Sequence, residues 1–331
     1  MERRQLLTVL AGAAAAWPST SRAQQPERVR RIGILSGFAE EHPEGQSQRI
    51  ALFQGLQDLG WIEGKNFRIE VFRWVTDDPQ RMQASVREVV KVKPDIILGL
   101  SPNPSDLAFL LQETNTIPIV FVNTADPIRM GLVSSLSRPN SNITGFTNFE
   151  DAIGGKWMQM LKEAAPNMER AALLFNPDRG TQGFLYEPSF RAAAAKLGVE
   201  PYLMTWRDVS EMERQLASHG KGNGIVVVNN TSNGLNHKTI FALASQHGLP
   251  AIYPYRWWAV AGGLFSYGPD MVDAHRRMAP YIDRILKGES AGSLPIQQPT
   301  KFDLVLNMKT ARALGVVFPP SLLSIADEII E

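Results

Sequence analysis

The chain carries the same order of signals twice, and that repetition constrains its fold more than any other feature. An apolar run, Arg31–Leu35, leads into a helix-like stretch that closes at Leu59-Gly60, 27 residues after Ile32. A second run, Ala171–Phe175, leads into a helix-like stretch that closes at Leu197-Gly198, 26 residues after Ala171. Each copy runs on to an apolar strand entered through proline: Ile117-Pro118-Ile119-Val120 in the first, Leu249-Pro250-Ala251-Ile252 in the second. Two similar α/β lobes imply a cleft between them, the usual place for a small ligand.

Within each copy strands and helices alternate. The first copy reads as strands Arg31–Leu35, Phe67–Arg73, Asp95–Leu100 and Pro118–Val122, with helices over Gln46–Leu59, Pro79–Val92 and Asn103–Glu113. Asp78-Pro79 and Asn103-Pro104 are helix starts with proline in the first turn. DIILGL and PIVFV are apolar without alternation, as in strands covered on both faces of a parallel sheet. Ser137–Thr147, rich in Asn, Ser and Gly, reads as a link. The second copy gives strands Ala171–Phe175, Val199–Met204, Ile225–Asn229 and Pro250–Tyr253, and helices over Pro188–Leu197, Val209–Ser218 and Leu235–His247. A short strand, Leu264–Tyr267, and a helix over Asp270–Leu286 follow, then a strand-like Thr300–Asn307 and a last helix opened by Pro319-Pro320. This order predicts an open α/β layer fold.

Residues 1–23 read as an export signal: paired Arg3-Arg4, an apolar Leu6–Ala16, and small residues at Ser21 and Ala23, with the mature chain starting at Gln24. The apolar run is short of the ~20 residues that span a bilayer, and the arginine pair fits either a general or a twin-arginine route. Removal of residues 1–23 takes three Arg and one Glu, so the formal charge moves from +1 to −1 (31 basic against 32 acidic residues). A nearly neutral chain lacks the basic excess of a nucleic-acid binder. With no cysteine the chain has no disulfide, thiolate metal site or thiol nucleophile; at 44% hydrophobic it builds a core large enough to do without disulfide staples.

Ligands of open α/β sheets bind beyond the carboxyl ends of the strands. The residues there make the candidate site: Ser36, Phe38, Ser101, Asn103, Asn123, Thr124 and Asn148 from the first copy and its link, with Asn176, Tyr186, Asn230, Tyr253 and Tyr267 from the second. They supply hydroxyls, amides and aromatic rings, equipment for hydrogen bonding and stacking. The same residue types are also ordinary turn and cap residues. Signals for catalysis are weak. The loop SGFAEEHPEG after the first strand carries neither nucleotide-binding glycine pattern, and no G-x-S-x-G elbow occurs. The five histidines form no H-x-x-x-H pair, and His219, His237 and His247 read as solvated helix residues. Glu40-Glu41 and Asp77-Asp78 read as solvated loop charges, and Trp257-Trp258 as core or interlobe packing. No cofactor, metal or catalytic residue is expected.

The segments IPIVFVNTADPIRMGLVSSLSRPNSNITG (117–145), LPAIYPYRWWAVAGGLFSYGPD (249–270) and PTKFDLVLNMKTARALGVVFPPSLLSIADEII (299–330) resemble the ABC-transporter substrate-binding family whose better-known members bind tryptophan or related amino acids. The leader is similar too, and the likeness covers essentially the whole mature chain. It implies the type I periplasmic binding-protein fold: two Rossmann-like lobes joined by three crossings, near Thr144–Thr147, Tyr267–Asp270 and Gln298–Lys301. The lobes implied are 30–146 plus 268–297 and 147–267 plus 298–331. It further implies a monomeric periplasmic receptor that hands a small organic solute to an inner-membrane ABC permease and its ATPase. A periplasmic sensing protein and a two-lobe transferase are the alternatives. One departure stands out: many members carry an acid where this chain has Asn230, and an amide supplies no charge for a ligand ammonium.

Overall fold

A computed structural model of the chain describes residues 28–74, 78–101, 104–179 and 182–331. The leader, Gln24, Asp77 and Asn103 lie outside these residues.

The first lobe is built on a five-stranded parallel sheet in the order β2-β1-β3-β4-β5. Its strands are β1 (Arg30–Ser36), β2 (Phe67–Trp74), β3 (Ile96–Leu100), β4 (Ile119–Thr124) and β5 (Ile143–Thr147), and its helices α1 (Pro43–Asp58), α2 (Pro79–Lys91) and α3 (Pro104–Glu113). The second lobe starts with α4 (Ile153–Ala164), β6 (Arg170–Phe175), α5 (Gln182–Leu197), β7 (Glu200–Thr205), α6 (Val209–Ser218) and β8 (Gly224–Val227). It continues with α7 (Thr231–Leu235), α8 (His237–Gln246), β9 (Ala251–Tyr253), α9 (Arg256–Val260) and β10 (Phe265–Pro269). Then come α10 (Met271–Leu286), β11 (Phe302–Asn307), α11 (Met308–Leu314), α12 (Pro320–Ile325) and β12 (Glu328–Ile330). The second sheet has the order β12-β11-β10-β9-β8-β6-β7, with β10 and β11 antiparallel.

The repeat is a repeat of geometry. Both Gly60 and Gly198 stand at positive φ, 89° and 65°. In each case the next residue donates back to a carbonyl five positions earlier, Trp61 to Leu56 at 2.9 Å and Val199 to Ala194 at 3.0 Å. That is one left-handed helix cap used twice. The two prolines match as well: Pro118 accepts from Ile97 at 2.8 Å and Pro250 from Ile225 at 2.9 Å. Asp78 caps α2 as expected, accepting from the amides of Gln80 and Arg81. Strands β3 and β4 are buried on both faces, as their unbroken apolar runs require.

Three expectations need correction. The stretch Ser137–Thr147 is not all link: its last five residues form β5, paired with β4. Its glycine serves the pairing, since a Cβ on Gly145 would lie 2.0 Å from the carbonyl oxygen of Phe121. Pro188 does not open a helix but lies inside α5, which already runs from Gln182. A helix absent from the sequence reading, α4, packs along α5 and buries Trp157, Met158 and Leu161.

Helix α10 leaves the second sheet and packs along α1 and against β3, β4 and β5. The connecting segments touch one another: the Thr147 amide donates to Gln297 at 2.9 Å, and Asp270 donates to Lys301 at 3.1 Å. Among the described residues, no helix is long and apolar enough to cross a membrane.

Candidate functional site

Strand ends from the two sheets meet at a seam of neutral polar groups. At its centre is Asn123, near the end of β4. Its Nδ2 donates to Ser101 Oγ at 3.1 Å, and its Oδ1 accepts from Tyr255 Oη at 2.6 Å and from Asn148 Nδ2 at 2.7 Å. Asn148 also donates to Tyr255 Oη, at 2.6 Å. Tyr255 follows β9 of the second sheet, so this node ties the two sheets together. Ser101 and Asn123 hold left-handed φ of 60° and 66° at the ends of neighbouring strands. Asn tolerates that conformation, but Ser takes it rarely, and rare backbone states of this kind gather at functional sites.

Two atoms of the seam are left over. Thr124 Oγ1 and Asn148 Oδ1 are buried and have no hydrogen-bond partner. The two residues are adjacent, because the Asn148 amide donates to the Thr124 carbonyl at 3.2 Å. Leaving a buried polar group unpaired costs roughly 1–3 kcal/mol. Burial raises the pKa of the Tyr255 phenol, against the lowering by its hydrogen bonds to Asn148 and Asn123, so it remains a neutral donor.

The other expected site residues are distributed as follows. Ser36 is buried beside the seam and accepts from the Phe38 amide at 3.2 Å. The next residue, Gly37, donates to Leu100 at 2.6 Å, and a Cβ there would lie 2.2 Å from the Ser101 carbonyl oxygen, so the ends of β1 and β3 touch. Asn176 and Asn230 are paired with each other: Asn230 Nδ2 donates to the Asn176 carbonyl at 2.8 Å, while its Oδ1 caps α7 through the Asn233 amide at 3.1 Å. Both amide atoms of Asn230 are therefore engaged within the protein. Tyr186 is buried against Phe149 and Trp157, at 5.6 and 5.1 Å between ring centroids. Tyr253 lies in the apolar core, stacked on Trp258 at 5.4 Å. Tyr267 stacks on Phe302 at 5.7 Å. These last two are not among the residues joined at Asn123.

Sequence reasoning passed over two residues. One is Tyr255, for which Tyr253 was chosen. The other is Asn233, fully buried, whose Nδ2 ties Leu174 of β6 to Val228 past β8, at 2.8 and 2.9 Å, while its Oδ1 accepts from Trp206 at 2.9 Å. One side chain thus holds the second sheet's inner strand ends together. His219 also differs from expectation. It is buried at the end of α6, with Nε2 against the Gly224 carbonyl at 3.0 Å and Nδ1 against the Tyr202 hydroxyl. Trp258 is core and Trp257 meets the other lobe, as read. Among the described residues no group of three or more His, Asp or Glu could hold a metal ion.

This two-sheet arrangement has relatives. The profile of the family described as ABC transporter substrate binding protein matches residues 36–330. The chain belongs to that family. It is 22% identical to a tyrosine-binding protein of Clostridioides difficile over 291 residues, which is 88% of this chain and 82% of that one. The fold matches a conserved domain protein from Vibrio cholerae with a TM-score of 0.82 at 25% identity, over 91% of this chain and 100% of that chain. It matches equally, at 0.82 and 21% identity over the same shares, an ABC domain from Streptococcus pneumonia solved in complex with L-Trp. The type I periplasmic binding fold implied by the sequence is the one observed.

Proposed function

We propose that this protein is a periplasmic solute receptor of an ABC importer, binding one small organic molecule between its lobes and delivering it to an inner-membrane permease with its ATPase. In this reading residues 30–146 and 268–297 form one lobe and 147–267 and 298–331 the other. Residues 1–23 are the export signal, and the working unit is a monomer that performs no chemistry on its ligand.

The observation that carries the reading is the seam at Asn123. A polar node buried between two sheets, with two adjacent oxygens lacking partners, fits a place where a ligand supplies the missing hydrogen bonds. Ser36, Ser101, Asn123, Thr124 and Asn148 offer the polar contacts from one side and Tyr255 from the other. Tyr186 stands behind them. The ligands named for relatives, tyrosine and L-Trp, make an aromatic amino acid the first probe. Because Asn230 is an amide already bonded through both its polar atoms to the fold, a ligand ammonium would be met by neutral oxygens such as Asn148 Oδ1, with no carboxylate at this position.

Native mass spectrometry of protein exported by its own leader and never denatured tests this. The expected species is a chain beginning at Gln24 with one small molecule bound. A species that keeps Met1, or one that stays empty after incubation with a panel of amino acids and carboxylic acids, contradicts it.

A further inference from the structure

Beside the polar node, two imidazoles press on one indole across the seam. Phe38 and His42 belong to the first lobe, in the loop after β1 and at the start of α1. Their rings stack at 4.5 Å with planes 24° apart. Trp257 of α9, on the second lobe, meets both edge to face, at 6.3 and 5.8 Å. His237, the first residue of α8, meets the same indole edge to face at 5.4 Å. This group is the only aromatic stack among the described residues in which a histidine of one lobe and a histidine of the other share a tryptophan.

The stack suits neutral imidazoles. His42 Nδ1 is buried without a partner, so protonation adds a charged N–H with nothing to receive it. His237 Nδ1 donates to the Gly234 carbonyl at 2.7 Å, which fixes its ring against Trp257. Burial, and then the nearby His237, hold the His42 pKa below its usual value. The charged groups around the stack are already engaged or exposed. Glu44 is bonded to Gln48 at 2.9 Å, Arg49 to the Glu40 carbonyl, and Arg256 to Glu328 at 2.6 Å. Glu40, Glu41 and Lys238 point to solvent. An imidazolium on Phe38 and Trp257 gains some cation–π attraction. The buried orphan N–H and the second imidazole act against it.

We propose that Phe38, His42, Trp257 and His237 form a clasp between the lobes that acid releases, making ligand retention at the seam dependent on pH. The regulated site rests on the receptor reading above; the clasp itself does not. The closed state binds the His42 proton less well than the open state. Closure is therefore strongest above the ordinary histidine pKa and weakens as pH falls through it.

The chain has no cysteine, so Lys91→Cys on α2 and Glu213→Cys on α6 can carry spin labels on the two lobes without interference. Inter-label distances are measured on the ligand-free full mature chain from about pH 7.5 to about pH 5, across the histidine range. The longer-distance population is expected to rise several-fold, by at most about tenfold per pH unit for one proton taken up. His42→Phe keeps the ring stack and should hold the short distances throughout. His237→Gln keeps a side chain beside Gly234 but removes the imidazole that opposes charge on His42, so the closed state tolerates that proton better and the opening midpoint should move to lower pH. A wild type whose distances do not respond to acid, a His42→Phe protein that opens like the wild type, or an unmoved midpoint in His237→Gln overturns the clasp. Because no ligand is used, a protein that opens with acid yet retains no solute would keep the clasp and lose the receptor reading.

Discussion

Thr124 ends β4 fully buried, with a hydroxyl that bonds to nothing. In the ligand-free protein this is a cost, so removing the hydroxyl at constant shape should not destabilise the fold. Thr124→Val is expected to leave the melting temperature unchanged or slightly raised. If the hydroxyl serves the ligand, affinity should fall by roughly tenfold or more, the worth of about 1.5 kcal/mol. Calorimetric titration and thermal melting of the one variant separate the two roles. Unaltered affinity would assign the hydroxyl no part in binding. At this scale the sequence was partly legible. Strand-end position picked out Ser101, Asn123, Thr124 and Asn148, which the fold brings together. It chose Tyr253 over Tyr255, because β9 is only three residues long and Tyr-Pro-Tyr has no period to tell core from seam. Asn230 was legible as a strand-end amide but not as the cap of α7, since the Asn233 amide it holds becomes its partner only once that turn forms.

At the scale of elements, the signals that survived were backbone signals. Gly60 and Gly198, Pro118 and Pro250, and Asp78 each act through local geometry, and each sits where its chemistry predicts. What escaped were elements defined by partners far away in sequence. Strand β5 exists because Gly145 can approach Phe121; read alone, ITGFT at the end of an Asn- and Ser-rich stretch has little strand character. Gly145→Ala should cost on the order of 3 kcal/mol or abolish folding, as a non-glycine φ of +154° and a clash with backbone combine. Urea unfolding measures this, and a wild-type midpoint would contradict it. Helix α10 carries a second testable group. His275 is fully buried, its Nδ1 donating to the Met271 carbonyl, and burial pushes its pKa from 6.5 down to about 4. A histidine held neutral in the fold but free to charge when unfolded stabilises fully above pH 6.5, and that stability is lost as pH falls from 6.5 toward 4. The loss should reach roughly 3 kcal/mol at the acid end. Urea unfolding at several pH values should show a shallower acid decline in His275→Leu than in the wild type. Equal slopes would place the acid sensitivity elsewhere.

Across the whole molecule, the five strands of the first sheet and β7-β6-β8-β9-β10 of the second share one order, to which the second sheet adds β11 and β12, and the chain returns from the second to the first through α10, then back through β11. Duplication of the α/β unit could be read from the repeated signals; the return of α10 to the first lobe followed only from the family resemblance, because nothing local to Asp270–Leu286 distinguishes packing on one lobe from packing on the other. In the proposed receptor, the seam at Asn123, the stack at Trp257 and the adjoining connectors at Thr147 and Asp270 would let the two halves close on a ligand by a hinge motion in which the lobes move as bodies. Small-angle scattering tests that claim most directly. Protein carrying its retained ligand, compared with the same protein unfolded, stripped and refolded, should have the smaller radius of gyration, and adding the ligand back should restore the smaller value. An identical radius in all three samples at saturating ligand would mean that the lobes do not close, and would contradict the account of this protein as a cleft-closing solute receptor.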